Sequence, residues 1–368
     1  MTAYLPLAFD HSRYVPLVLT RQGELAALEL LDSRVKDEMT PVLLAHPVPA
    51  DASGMPHTTV QGHVEELLQR VAKGWGPRPA FIDLGHLDVD GLVMPDGTPP
   101  LQWLVRECAE LGLPLAPVTS PTRTAEQRGS AVAAAQDFSS ALCLRMDRAD
   151  WIDLGRPAGD GRLMLLLAET GLPASRVHLL LDCGDQVGDP AVTARALEPV
   201  LAGLPLAQEW ASLTVAGTGM PVGTSEIGAD STGLLPRTEW ALWRLLDGHG
   251  YRRPSFGDYV VQHPDPQSGF DPRLMDTSAQ LRYTVSEHWF VARGRGLKKN
   301  GHEQVRGLAR QLVSLPAYSG ADFSWGDRWL HLCADGQGKP GSQLIWRKAT
   351  TTHHLTYVVS QLSTLLGT

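Results

Sequence analysis

Three aspartates stand where apolar stretches run out: Asp83 in PAFIDLGHLD, Asp147 in ALCLRMDRAD and Asp182 in RVHLLLDCGD. An acid at the C-terminal end of a buried strand lies where α/β folds build their sites. Strand alternation sets Leu142, Leu144 and Met146 on one face and Cys143, Arg145 and Asp147 on the other. The same alternation sends Asp83, Asp182, Thr214 and His46 toward a common mouth, with His86, Asp88 and Asp185 just beyond. Carboxylates around one arginine and one histidine can act as an acid/base pair. They can also hold a divalent cation through oxygen ligands, or neutralise one another as a buried network. Spacing alone does not choose among the three.

Other candidates lie later in the chain. AGTGMPVG holds Gly217 and Gly219, where backbone amides could cradle a phosphate. The third glycine of that loop is Gly223, so it is not a GxGxxG motif. Arg282 lies in LRYTVS, and VARGRGLKKNG carries Arg293, Arg295, Lys298 and Lys299. Arginines are suited to forked capture of phosphate, and the nearby Tyr283 and Trp289 could stack a base. Finally, Trp346, Arg347 and Lys348 precede His353 and His354. Thr352 reads as the N-cap of a last helix over 353–366, which would put His353 at a helix start. Adjacent helical residues diverge by about 100°, so the two histidines should address different partners.

Positioning such residues takes a regular scaffold, and the chain alternates strand and helix signals. Strands are expected at 14–20, 40–46, 80–84, 113–119, 141–146, 177–182, 212–217 and 258–262, with amphipathic stretches between them. Eight such units predict a (β/α)8 TIM-type barrel over 13–263, with eight strands and seven helices. A hairpin-containing insertion should follow at 264–301. The last barrel helix, near 302–315, and further C-terminal helices should fill 302–368. That elaboration is expected to cover the barrel mouth and to bring Arg293, Arg347 and His353 or His354 over Asp83 and Asp182.

Composition fits an ordinary globular protein, with 43% hydrophobic and 20% charged residues among 368. Four dispersed cysteines suggest reduced thiols, and an N-terminus without a basic, apolar leader suggests a cytoplasmic protein with no membrane association. The net charge of −8 hides an imbalance: residues 281–348 hold 11 Lys and Arg against 5 Asp and Glu. A basic segment on an acidic body suits an anionic small molecule or nucleic acid. GxSxG, HExxH, Walker and Rossmann motifs are all missing, which removes the commonest named reactions.

Both ends of the chain also carry a resemblance. YVPLVLTRQGELAALELL with MTPVLLAHP, and SGADFSWGDRWLHLCADG with WRKATTTHHLTYVVSQL, resemble the start and end of the beta family proteins of bacteria and phages. SWGD and WR…HH are the most specific parts. The resemblance implies a mobile-element or phage-defence setting rather than a reaction. Two readings follow. One is a barrel that binds a nucleotide or other phosphoester at its mouth, with hydrolysis by a nuclease-like or phosphoesterase site left open. The other is a non-catalytic barrel serving as partner or scaffold subunit of an antiphage effector.

Overall fold

The computed structural model describes residues 8–51, 53–139, 141–154, 159–264 and 276–367. Its first seven strands are β1 (Val15–Leu19), β2 (Val42–Leu44), β3 (Ala80–Asp83), β4 (Leu115–Thr119), β5 (Leu142–Met146), β6 (Val177–Asp182) and β7 (Ser212–Gly217). β8 (Ser231–Pro236) stands apart, and β9 (Ser255–Asp258) follows it. β1 to β7 and β9 pair in parallel and close on themselves, with Val15 opposite Gly257. The fold is the expected (β/α)8 barrel.

Every barrel strand is buried on both faces apart from Arg145, as parallel strands beneath a ring of helices must be. Outward side chains such as Leu142, Leu144, Leu179 and Leu181 pack against the helices. Inward ones, among them Leu17, Phe81, Cys143 and Leu180, fill the barrel. The alternation read from ALCLRM therefore holds. Below them His178 packs edge-on to Phe81 and bonds Ser212 Oγ at 2.8 Å, plugging the interior.

The eighth barrel strand ends at Asp258 instead of running over 258–262. Beyond it lies a three-stranded antiparallel sheet in the order β10 (Ser278–Val285), β11 (His288–Gly296), β8. The expected hairpin is β10 and β11, although its leading segment, 265–275, lies outside the described residues. β8, drawn from the loop after β7, was not expected. Helices Gln304–Val313 and Trp325–Ala334 cover this sheet and share a core with it.

The last helix is Gln343–Leu366, starting ten residues before the expected point. Its Trp346 belongs to the core of the small sheet, whereas Leu355, Val358 and Leu362 belong to the barrel core. This helix, packed beside Gln22–Glu29, completes the outer ring. The helix at Gln304–Val313 does not, because its apolar face is spent on the second core. Thr352 is not a cap. It lies mid-helix with Oγ1 bonded back to Lys348 O at 2.9 Å.

Candidate functional site

Arg145 stands at the centre of the mouth. From β5 it donates to Asp182 Oδ2 on β6 (Nε, 2.9 Å) and to Asp83 Oδ2 on β3 (Nη1, 2.8 Å). Its Nη2 donates to Tyr259 Oη at 2.7 Å, and that hydroxyl donates onward to Asp182 Oδ2 at 2.6 Å. Arg123, in the loop after β4, holds Asp83 Oδ1 at 2.8 Å. The backbone amides of Gly85 and Gly184 donate to Asp83 Oδ1 and Asp182 Oδ1. Burial opposes the charge on Arg145, but Tyr259, Asp182 and Asp83 outweigh it and push its pKa well above the usual value. Burial, reinforced by Asp182, likewise raises Tyr259 far above a free phenol. Asp83, Asp182 and Arg145 thus meet as expected, and they meet as a satisfied network.

Beside this network lies a cavity of about 660 Å³, lined by Arg145, Asp147, Arg148, Asp185, Gln186 and Tyr259 among others. Asp147 reaches its rim. One of its oxygens caps the helix Arg148–Leu154 by accepting from Asp150 N at 3.0 Å. Arg148 donates to Gln186 O, and Asp185 lies 3.2 Å from His263. Asp88 is half-buried near the same mouth. Burial, added to the neighbouring carboxylates, pushes it up to about 6 despite Arg123. The side chain of His86 lies outside the described residues.

The backbone turns sharply at the mouth. Val260 adopts φ +58°, a left-handed conformation that a β-branched residue strongly resists. Asp258 Oδ1 accepts from Val260 N at 2.9 Å and holds the turn. Tyr259 faces the large cavity, while Val261 and Gln262 face a second one. Strain of this kind collects at functional sites.

Four expectations need correction. Gly217 and Gly219 do not cradle phosphate: a Cβ at Gly217 would lie 2.6 Å from Val187, and one at Gly219 would lie 2.8 Å from Pro236 O. These glycines allow close chain packing, and the Gly219 amide is already taken by Glu239 Oε2 at 2.9 Å. Arg293 holds the carbonyl of Ile227 on the small sheet and does not line the mouth. His353 and His354 are fully buried behind the barrel wall. His354 Nε2 meets Asp258 Oδ2 at 2.9 Å and its Nδ1 meets Thr284 Oγ1 at 2.7 Å; His353 Nδ1 meets Asp327 Oδ2 at 3.0 Å. Neither can reach a ligand, so neither serves as acid or base there. Arg282 and Arg347 do converge, on the second cavity rather than on the first.

A family model described as Beta protein matches residues 14–360. The chain belongs to that family. No curated protein sequence matches it. Among solved structures, the catalytic module of a family 98 glycoside hydrolase from Streptococcus pneumoniae TIGR4 is similar at a TM-score of 0.39 and 12% identity. That match covers 68% of this chain and 46% of the other.

Two members of the mouth network escaped the sequence reading. Tyr259 sat inside DYVVQ, read as one strand; the structure ends that strand at Asp258, and the Tyr259 ring joins the inward cluster. Arg123 sits in an aperiodic loop, where the only signal is a cation facing acidic strand ends. Asp83 and Asp182 present their oxygens to guanidinium groups and amides, which leaves no open pair for a cation. Among the described residues no group of three His, Cys, Asp or Glu is placed to hold a metal. Among the described residues no helix is long and apolar enough to cross a membrane.

Proposed function

We propose that this chain binds a nucleotide or related phosphoester in the mouth cavity and acts by binding rather than by cleaving a bond. The observation that carries this reading is the cavity itself. It is about 660 Å³, at the C-terminal ends of β5 and β6, with Arg148 at its rim beside Asp147 and Asp185, whose carboxylates can accept from hydroxyl and amino groups. That volume is in the usual range for small-molecule sites. Arg148 would meet the phosphate. Asp147 and Asp185 would take hydroxyl or amino groups, and Ile152, 38% exposed at the wall, would lie against an apolar ring. Arg145 organises the floor, with each of its three nitrogens already donating to Asp182, Asp83 or Tyr259.

Thermal shift and calorimetry with nucleotides and their parent nucleosides test this. Phosphorylated ligands should raise Tm and nucleosides should not, and R148Q should weaken binding by about tenfold, the share of one charge-assisted contact. The second reading is the non-catalytic partner subunit of an antiphage effector. It is favoured by the saturation of Asp83 and Asp182, which leaves neither free to act as a base. A stoichiometric protein partner on purification, with no response to any phosphoester, would decide for it.

A further inference from the structure

The second cavity has a composition unlike the first. It measures about 170 Å³ and is walled by β10, the segment after β9, and the start of the helix Gln343–Leu366. Its described lining holds two arginines, Arg282 and Arg347, and no carboxylate. Gln262, Gln280, Gln343 and Thr350 add neutral polar groups.

Arg282 donates one Nη1 bond, to Val261 O at 2.5 Å. A carbonyl oxygen carries no net charge, so this contact orients the guanidinium without neutralising it. Burial, with Arg347 adding repulsion, lowers Arg282 from the usual arginine value to about 10. An acid, Glu24, lies behind Arg347 at 3.4 Å, and burial raises its own pKa. Two half-buried cations therefore face one small space, with a poorly solvated carboxylate beside Arg347. Such an arrangement is costly unless something negative enters. Gln343 also opens a 24-residue helix whose Ser342 makes no side-chain cap, so the first-turn amides lie at the same end.

We propose that this cavity is an anion site for a single phosphate group, either as inorganic phosphate or as the end of a phosphomonoester. Its volume falls below the range that holds a whole nucleotide. Two guanidinium forks approaching from a strand and a helix suit a tetrahedral oxyanion. Occupation would tie together β10, the last helix and the strained turn at Val260. This site is independent of the ligand proposed for the mouth, from which the segment from Tyr259 to Pro264 divides it.

Calorimetry and thermal shift on the full chain, with inorganic phosphate and methyl phosphate against chloride at equal ionic strength, test the proposal. Both phosphates should raise Tm and bind one per chain. R282Q and R347Q should each weaken binding by about tenfold or more, while R293Q on the same sheet should not. Because either arginine variant could fold poorly, Q262E supplies a second arm. Its carboxylate should raise Tm in chloride by neutralising the pair, yet abolish the response to phosphate. If methyl phosphate fails where inorganic phosphate binds, the cavity holds the free ion alone and the phosphomonoester arm falls. Binding that survives R282Q and Q262E but is lost in R148Q would assign the anion to the mouth and overturn the site.

Discussion

At the residue scale the mouth turns on one guanidinium serving two carboxylates. Asp83 and Asp182 are each 3% exposed, and Arg145 bonds both. Removing one member of a buried ion group leaves an uncompensated charge, which typically costs about 3–5 kcal/mol. R145M should lose stability on that order in urea denaturation. Adding D83N and D182N to it should recover a large part, since the stranded charges are then gone. If R145M unfolds no more easily than the parent, solvent reaches the aspartates and the network is not what fixes them. The sequence exposed this trio because strand alternation places inward residues with no tertiary knowledge. It could not show that the acids were spent, because Arg123 and Tyr259 arrive from irregular segments.

At the scale of elements, the family-like SWGD and HH segments turn out to be two halves of one clamp. Ser324 caps the helix Trp325–Ala334 by accepting from Asp327 N at 3.2 Å. Trp325 lies under Lys348, 5.0 Å from its ring centre. Asp327, fully buried, accepts from Tyr283 at 2.6 Å and meets His353 at 3.0 Å. Gly326 lets the two helices touch: a Cβ there would stand 2.0 Å from Ala349 O, with backbone on both sides of the clash. G326A should therefore push the helices apart and cost about 1–3 kcal/mol, the usual range for overpacking. A midpoint unchanged in chemical denaturation would show that the interface gives freely. The start of the last helix was hidden by its threonines, which look like caps in sequence. In the fold Thr350 and Thr356 bond back to Trp346 O and Thr352 O, each at 2.8 Å, and so satisfy themselves inside the helix. β8 was hidden for another reason. Its residues alternate between half-buried and exposed, so STGLLP lacks the apolar run that marks the barrel strands.

For the whole molecule, one helix serves two cores and charge is arranged around that fact. Much of the basic excess in 281–348 is used to bind carbonyls and acids of the small-sheet unit. Arg306 donates to Gly338 O, Arg310 to Ala334 O, and Arg295 pairs with Asp230. The response to acid should come from histidines held neutral instead. Burial, with His63 and Arg21 nearby, lowers His46 to about 4, and burial lowers His178 to about 3. His354 is lowered by burial as well, in spite of Asp258. The unfolded chain takes up these protons near pH 6.5, whereas the folded one refuses them until lower pH. Stability is thus fully present above about pH 6.5 and falls as pH drops toward 4, by up to about 1.4 kcal/mol per pH unit for each such histidine. Unfolding free energies measured between pH 7 and 5 should show that slope, and H46Q should reduce it by one proton's worth. An unchanged slope in H46Q would mean that His46 charges within the fold, and that the mouth near Thr20 is more open to water than its burial suggests.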